Sequence, residues 1–353
     1  MRAFDIAVLG AGPVGLMAAL QFARSGRAAV IASNRLPAPD GARRVDAVPA
    51  SFLALLVEFG INPIEIGADR LHRARISAWT SAEPLVAEGA ATAHVERPAL
   101  DVALLKVAKR AGCAIRSRSG LDGESVGGRD WTAKCFVDAT GRDAVTANRR
   151  IRAPKPWIAR TFWAPVCAHD PGFRIAQLPD GYAYRLGAAS TLAFGVVGRR
   201  AAVAGSLLDI AQHLRVHAPW MLEDLPSFAK LQPGGACAAS VQWSEGGGLR
   251  IGDAALARDA LSSQGIATGA SEALQVCAMG GEDDYALIVA RQHEQRQAHL
   301  HALLAVLEGG RFSNAQIWRE YIDFVASQRA LEIAEWTAAV RHQRIQRVSL
   351  TSS

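Results

Sequence analysis

The chain has 353 residues, half of them hydrophobic and a fifth charged, with a formal net charge of +6 at pH 7. This composition is typical of a folded globular protein and not of a disordered chain, and the length predicts one large domain or two closely joined ones. No apolar run approaches the ~20 residues of a membrane span, and the basic residues form no dense run interleaved with aromatics, so neither a membrane nor a nucleic acid is an expected partner.

The start of the chain predicts a strand over Phe4 to Leu9, a helix over Pro13 to Ala23 and a second strand over Ala28 to Ala32. A strand, a glycine turn, a helix and a strand in this order are typical of a parallel unit with a right-handed crossover. A loop is expected over Asn34 to Asp46. Helices are then expected over Ala50 to Phe59 and Leu100 to Arg110, and strands over Ala114 to Arg116 and 134–138.

After Trp157 the pattern changes to short β-rich stretches between Pro and Gly turns, which predicts a separate sheet. These stretches are Ile158 to Val166, Ala183 to Leu186 and Thr191 to Val197. A helix is expected over Leu207 to His217, a strand–turn–helix unit over 249–275, and helices over Glu282 to Leu307 and Gln316 to Val340.

This order predicts an α/β protein with a discontinuous Rossmann-like nucleotide-binding domain, an inserted β-rich substrate domain and a helical C-terminal segment. The expected boundaries are 1–156, including a small substrate-side excursion near 61–95, then 157–245, 246–280 and 281–353.

The first motif is Gly10-Ala11-Gly12-Pro13-Val14-Gly15, between the first strand and the first helix. Its glycines permit a tight turn and let the backbone approach a pyrophosphate, whose charge the helix N-terminus stabilises. An acidic residue usually follows the second strand and holds ribose hydroxyls. Ser33 and Asn34 occupy that position, and neither supplies the stronger charge-assisted hydrogen bond.

Two further motifs follow strands much later in the chain. Val137-Asp138-Ala139-Thr140-Gly141-Arg142 is expected to bring small residues and a turn against the first glycine loop. Arg250-Ile251-Gly252-Asp253-Ala254-Ala255 places Asp253 to accept hydrogen bonds from a polyol such as ribityl. The turn from Asp259 to Ile266 then begins a helix, whose free N–H groups are suited to a flavin carbonyl that gains negative charge.

Together the three motifs resemble those of the glutathione-reductase-type flavoprotein monooxygenases, which bind FAD. The segment Val95 to Asp101 is similar to that family's Arg-x-x-Leu element, whose arginine, here Arg97, lies near the FAD diphosphate. The resemblance covers most of the first 150 residues and 249–275. It implies FAD as the cofactor, with the binding residues Gly10, Gly12, Pro13, Val14, Gly15, Ser33, Asn34, Arg44, Arg97, Asp138, Gly141, Gly252, Asp253, Gly265 and Ile266.

Within that family the chain resembles the tryptophan-halogenase-like branch. The segment from Arg44 to Ala50 is similar to its Glu-x-Leu-Pro-Pro signature, with Asp46 in place of the glutamate, and Ser77-Ala78-Trp79 is similar to its Ser-x-Trp strand. The halogenases need a lysine early in the chain, whereas the first lysine here is Lys106, and no Trp-x-Trp-x-Ile-Pro motif occurs. Halogenation is therefore not expected.

Non-halogenating relatives include flavoproteins that hydroxylate a protein-bound tryptophan during tryptophylquinone cofactor biogenesis. Their Ser-x-Trp and Asp-x-Leu-Ser-Ser-Gln-Gly-Ile patterns are similar to those of this chain, although Ala260 replaces the proline of the wider family's Asp-Pro-Leu. The resemblance implies an FAD-dependent monooxygenase that hydroxylates an aromatic ring through a flavin C4a-hydroperoxide. A tryptophan in a partner protein is a candidate substrate.

Transient NAD(P)H or another reductant would supply electrons, because no second nucleotide motif is present. No catalytic residue is identified, and Trp79 and Trp163 are candidates for the substrate pocket. Two alternatives stay open: an FAD-dependent dehydrogenase or reductase for small molecules, and a flavin-binding assembly partner without catalysis.

The remaining polar residues predict little chemistry. His293, His299 and His301 are interpreted as the solvated face of a polar helix. No metal site or disulfide framework is expected, because five scattered cysteines form no Cys-x-x-Cys pair; they are Cys113, Cys135, Cys167, Cys237 and Cys277. A strand as early as Phe4 leaves no place for a signal peptide, so a cytoplasmic location is expected.

Overall fold

The glycine-rich start of the chain folds into the predicted parallel unit. In the computed structural model, which describes residues 1–39, 44–117, 120–122, 125–128, 130–165, 172–223, 225, 230–245, 248–262, 264–278 and 282–331, β1 (Arg2–Leu9), α1 (Pro13–Arg24) and β2 (Ala29–Ala32) follow one another. β1 pairs in parallel with β2 on one side and with β9 (Trp131–Asp138) on the other. β6 (Ala114–Arg116), β7 (Gly120–Asp122) and β8 (Ser125–Gly128) complete a sheet of order β6-β2-β1-β9-β8-β7.

An eight-stranded sheet joins two separate stretches of the chain. Its order is β15-β11-β14-β13-β12-β4-β5-β3, and parallel pairing of β12 with β4 connects residues 157–245 to the excursion near 61–95. The strands are β3 (Val45–Pro49), β4 (Leu71–Ala78), β5 (Leu85–Glu96), β11 (Ile158–Pro165), β12 (Phe173–Leu178), β13 (Gly181–Gly187), β14 (Thr191–Gly198) and β15 (Gln232–Ala238). β10 (Arg149–Arg152) and β16 (Gln242–Glu245) form a separate antiparallel pair.

The helices cover the sheets from several sides. They are α2 (Ala50–Glu58), α3 (Arg97–Arg110), α4 (Arg200–Val203), α5 (Leu207–His217), α6 (Asp253–Leu256), α7 (Gly265–Ala278) and α8 (Glu282–Glu308), with a further helix α9 over 316–331. α1, α3 and α7 enclose an aliphatic core against the first sheet. α8 and α9 enclose a second, aromatic core against the large sheet. No helix in the described ranges is long and apolar enough to cross a bilayer.

Several element boundaries differ from the prediction for identifiable reasons. The loop predicted up to Asp46 ends earlier, because Val45 and Val48 are buried and begin β3. α3 begins at Arg97 and not at Leu100, because a proline in the first helical turn loses no hydrogen bond. The strand expected near residue 250 is an isolated bridge between Arg250 and Asp138, after which α6 precedes α7. Val166 and the helix predicted beyond Leu331 lie outside the described residues.

Candidate functional site

A cavity of about 1100 Å³ lies where the carboxyl ends of β1, β2 and β9 face the large sheet. Open α/β sheets bind ligands at such ends. Residues far apart in the sequence meet there. The predicted site residues that line the cavity are Gly10, Gly12, Pro13, Val14, Ser33, Asn34, Arg44, Arg97, Gly141, Asp253, Gly265 and Ile266.

Backbone contacts leave no room for a side chain at two positions of the glycine loop. Gly10 has φ +102°, and a Cβ there would lie 2.6 Å from the carbonyl oxygen of Ala139. Gly15 does not line the cavity; a Cβ at that position would lie 2.3 Å from the Gly10 carbonyl oxygen. The predicted contact between the first and second motifs is therefore present. Gly12 precedes α1 without a side-chain cap, so the first N–H groups of α1 stay available to an anion.

Asp138 has a different position from the one predicted. It is completely buried, and its carboxylate accepts hydrogen bonds from the backbone N–H and hydroxyl groups of Thr140 and Thr146, at 2.6 to 2.9 Å. These four bonds shape the loop that begins at Ala139 and orient it toward the cavity. Asp138 therefore positions this loop and does not itself line the cavity.

Ser33 and Gly252 also have structural roles. The Ser33 hydroxyl donates to the Arg35 carbonyl at 2.6 Å and accepts from the Arg35 N–H at 3.3 Å, so a local turn occupies it. Gly252 has φ +58° and packs its Cα side against Val14, which a Cβ would approach to 3.1 Å. Its N–H donates to Glu272 at 2.7 Å, and burial raises the pKa of Glu272 to about 7.

Asp253 lines the cavity as an acceptor without a donor. Burial raises the pKa of its carboxyl, although Arg142, Arg97, Arg258 and Arg44 act in the opposite direction. Among the described residues no donor is hydrogen-bonded to this carboxylate. Its Oδ1 lies 3.4 Å from the Cβ position of Gly265, so the start of α7 adjoins it. A ligand with hydroxyl groups would satisfy this acceptor.

A partly buried charge cluster lies at the start of α3. Arg97 donates to Asp46 at 2.9 Å and to Asp101 at 2.8 Å. Burial raises the pKa of Asp46, but Arg44 and Arg97 outweigh it and the net shift is downward, which keeps Asp46 ionised. The Nε of Arg44 is buried without a hydrogen-bond partner, since its distance of 3.7 Å to Asp46 is too long.

Two arginines that the sequence prediction did not assign also line the cavity. Arg142 donates to the carbonyl oxygens of Ser240 at 2.6 Å and Arg258 at 3.1 Å, which fixes its guanidinium. Arg258 is 7% exposed, its Nη1 has no hydrogen-bond partner, and burial lowers its pKa. Arg142 is the last residue of the second motif, and Arg258 directly precedes the turn that begins at Asp259, so their place in the sequence was the available signal.

The wall of the cavity that β12 and β13 form is largely aromatic. Phe173, Ile175, Tyr184 and Leu186 line it together with Tyr182. Tyr182 is 2% exposed and its hydroxyl has no hydrogen-bond partner. This wall therefore suits a flat apolar ring, and a buried carboxyl group lies beside Tyr182.

Asp259 supplies that carboxyl group. Tyr321 of α9 donates to its Oδ2 at 2.5 Å, and the Leu261 N–H donates to its Oδ1 at 3.0 Å. Burial raises the pKa of Asp259, although these two hydrogen bonds act to lower it. The Asp259 N–H faces Nε2 of His299 at 3.4 Å. His293 and His299 are buried, so their interpretation as solvated residues is wrong.

The two tryptophans proposed for the substrate pocket lie elsewhere. The indole N–H of Trp79 donates to the Val306 carbonyl at 2.8 Å, and its ring packs edge-on against Tyr182 and Trp318. Trp163 lies in β11, where it pairs with Ala193 and Gln232, outside the cavity lining. The cysteines within the described residues, namely Cys113, Cys135, Cys237 and Cys277, are free, and Cys167 falls outside them.

Comparison with solved structures identifies the architecture. No protein-family model and no curated protein sequence matches the chain. A myxobacterial chondrochloren halogenase, CndH, described as a variant of FAD-dependent halogenases, superposes with a TM-score of 0.73 at 17% identity, over 91% of this chain and 86% of its own. The chain has the fold of FAD-dependent halogenases.

Other enzymes share this fold. The peptidyl tryptophan dihydroxylase QhpG, described as essential for tryptophylquinone cofactor biogenesis, superposes with a TM-score of 0.70 at 22% identity, over 91% of this chain and 79% of its own. A geranylgeranyl bacteriochlorophyll reductase-like protein of Thermoplasma acidophilum superposes with a TM-score of 0.66 at 15% identity, over 96% of this chain and 99% of its own. The predicted fold class is confirmed, whereas the glutathione-reductase-type part of the resemblance stays a prediction.

Proposed function

We propose that this chain is an FAD-dependent monooxygenase that hydroxylates an aromatic ring, with a tryptophan of a partner protein as the substrate. The observation that carries this proposal is the meeting of three distant motifs at one cavity, which is lined by a glycine loop and by an aromatic wall. The shared fold with FAD-dependent enzymes supports the cofactor, and the dihydroxylase among them supports the substrate.

The residues present fit FAD. At the uncapped start of α1, nothing lies within 4 Å of a Cβ position on Gly12, so the backbone there is open to a diphosphate. The unpartnered Nε of Arg44 would donate a hydrogen bond beside it. Asp253 would accept hydrogen bonds from ribityl hydroxyls. Gly265 and Ile266 at the start of α7 would face the isoalloxazine.

Bound FAD would supply the oxygen transfer, with electrons from NAD(P)H or another reductant. The chain's own residues would bind and orient the substrate ring against Tyr184 and Phe173 and would exclude water from it. Asp259, held through Oδ2 by Tyr321, would accept a hydrogen bond or a proton from the substrate. Hydroxylation is favoured over halogenation because the chain has no lysine before Lys106.

A small-molecule reductase is the second candidate, supported by the reductase-like neighbour that matches this chain over nearly its whole length. A flavin-binding assembly partner is the third, because Ser33 and Ala260 depart from the family pattern. Bound FAD alone would not exclude the third candidate, because that candidate also binds flavin. Turnover by the FAD-loaded protein would exclude it. Incorporation of oxygen-18 from labelled dioxygen into an aromatic product would support the monooxygenase. Reduction of a substrate double bond, with no oxygen-18 in the product, would support the reductase.

Asp253→Asn tests the residue placement directly. The variant should lose FAD during gel filtration, since an amide is a weaker acceptor for hydroxyls than a carboxylate. Asp130→Asn is the matched control, because Asp130 is an exposed aspartate whose side chain is 71% accessible. FAD retained equally by both variants would refute the assignment of Asp253.

A further inference from the structure

A strongly basic groove lies beside the cavity, between β10 and α9. We propose that this groove binds an acidic segment of the partner protein. Its volume is about 740 Å³, and its basic side chains are Arg149, Arg150, Arg152, Lys155 and Arg199. The inference rests on the proposed function for the partner's role as substrate, because a tryptophan of another protein needs a surface that holds that protein near the cavity.

The groove keeps an excess of positive charge after its internal ion pairs are counted. Glu320 and Asp323 are its only acidic lining residues among those described. Glu320 bonds both Lys155 and Arg199, and Arg149 pairs with Glu245 at 3.6 Å. Arg150 and Arg152 are exposed and form no ion pair within the described residues.

The backbone of the groove is open to an additional strand. β10 pairs with β16 alone within the described residues, so its other edge is free. An extended peptide can pair with such an edge and place alternate side chains against the neighbouring surface. A peptide with Asp or Glu at alternate positions would meet Arg150 and Arg152 across the strand.

The groove and the cavity share a wall. Trp157 and Tyr321 line the groove. On the other side, Trp157 stacks on Tyr182 with ring centroids 6.4 Å apart, and Tyr321 bonds Asp259. At the rim, Arg150 donates to the carbonyl oxygen of Asp143, which lines the cavity. A segment in the groove would therefore place its neighbouring residues at the cavity rim.

Charge and lining favour an acidic protein segment over the other occupants. A nucleic acid would need exposed aromatic rings for base stacking, but Trp157 and Tyr321 are 1% and 3% exposed. The chain's own residues 332–353 follow Leu331 at the end of the groove. They contain three arginines against two glutamates, so they do not complement it.

The test is a fluorescence-anisotropy titration with a labelled peptide of about ten residues, rich in Asp and Glu around one Trp. The wild-type protein should bind this peptide and not its Lys-substituted counterpart, and binding should weaken as salt rises. The double variant Arg150→Glu/Arg152→Glu should bind it at least about tenfold more weakly. The matched control Lys106→Glu/Arg110→Glu, on the exposed face of α3, changes the net charge equally and should retain wild-type affinity.

Equal loss in both double variants, binding that is indifferent to the peptide's charge, or no binding would overturn the inference. So would competition at the groove by a single-stranded oligonucleotide or by a peptide of residues 332–353. FAD content is measured in the same samples. Absent FAD contradicts the proposed function, whereas absent peptide binding by an FAD-loaded protein contradicts only the groove.

Discussion

The hydrogen bond between α9 and Asp259 should be a major stabilising contact of the cavity. Tyr321→Phe removes a hydroxyl that donates to the Asp259 carboxylate at 2.5 Å and accepts from the Val241 N–H at 3.0 Å. A hydrogen bond to a charged group contributes ~1.5–3 kcal/mol, and a buried unpaired N–H costs ~1–3 kcal/mol. Since such terms are not additive, we expect the free energy of unfolding to fall by about 3 kcal/mol.

Tyr182→Phe is the matched control, because Tyr182 belongs to the same aromatic cluster and its buried hydroxyl has no partner. Its free energy of unfolding should change by less than ~0.5 kcal/mol. Urea unfolding of the two variants and the wild type, followed by tryptophan fluorescence, measures both changes. Equal destabilisation by the two substitutions would refute the role assigned to Tyr321.

The pH dependence gives a second readout of the same contact. Burial raises the pKa of Asp259 above the ordinary 3.8, so its ionised form destabilises the fold above the raised pKa, and that penalty disappears as pH falls through it. Without the Tyr321 hydroxyl this pKa should rise further. The difference between wild type and Tyr321→Phe should thus be largest at pH values above both raised pKa values and should shrink as pH falls through them, and a constant difference would contradict this explanation.

Three further substitutions test other parts of the site. Gly10→Ala should destabilise the protein by at least ~2 kcal/mol, since φ is +102° and the new Cβ would lie 2.6 Å from a carbonyl oxygen. Gly26→Ala is the control, because φ is +82° there but a Cβ meets nothing within 4 Å. Equal melting temperatures of the two variants would contradict this prediction. Burial raises the pKa of Glu272 to about 7, so the wild type should gain resistance to urea as pH falls through this value. Glu272→Gln should remove this gain, and a gain that persists in the variant would have to come from another group. Arg97→Ala should lower the free energy of unfolding by ~1.5–3 kcal/mol, because two partly buried carboxylates lose a charged hydrogen-bond donor. A loss below that of the exposed Arg149→Ala would be inconsistent with the cluster.

The parts of the fold that depend on local sequence were predictable. Short-range spacing predicts the glycine loop, α1 and the strands on either side of it. Only glycine tolerates the φ of Gly10, and only glycine at position 15 fits against the carbonyl oxygen of Gly10. The approach of Ala139 to that loop also followed from its small side chain after a strand.

The parts of the fold and of the site that depend on distant contacts could not be predicted from the sequence. Nothing near residue 259 indicates that Tyr321 would donate to Asp259, since this bond joins residues far apart in the chain through α9. His299 lies in a helix rich in polar residues, yet it is buried and its Nε2 faces the Asp259 N–H. Asp138 satisfies the motif pattern, but its four bonds to Thr140 and Thr146 give it a structural role. Parallel pairing of β12 with β4 likewise has no local signal.

The most direct test is the flavin content of the purified protein after incubation with excess FAD. Residues near 10, 97 and 253 line one cavity, so the protein should retain about one FAD per chain through gel filtration, with the absorbance bands of a bound flavin, and should release it on unfolding. A protein that stays folded and colourless after this incubation would contradict the account.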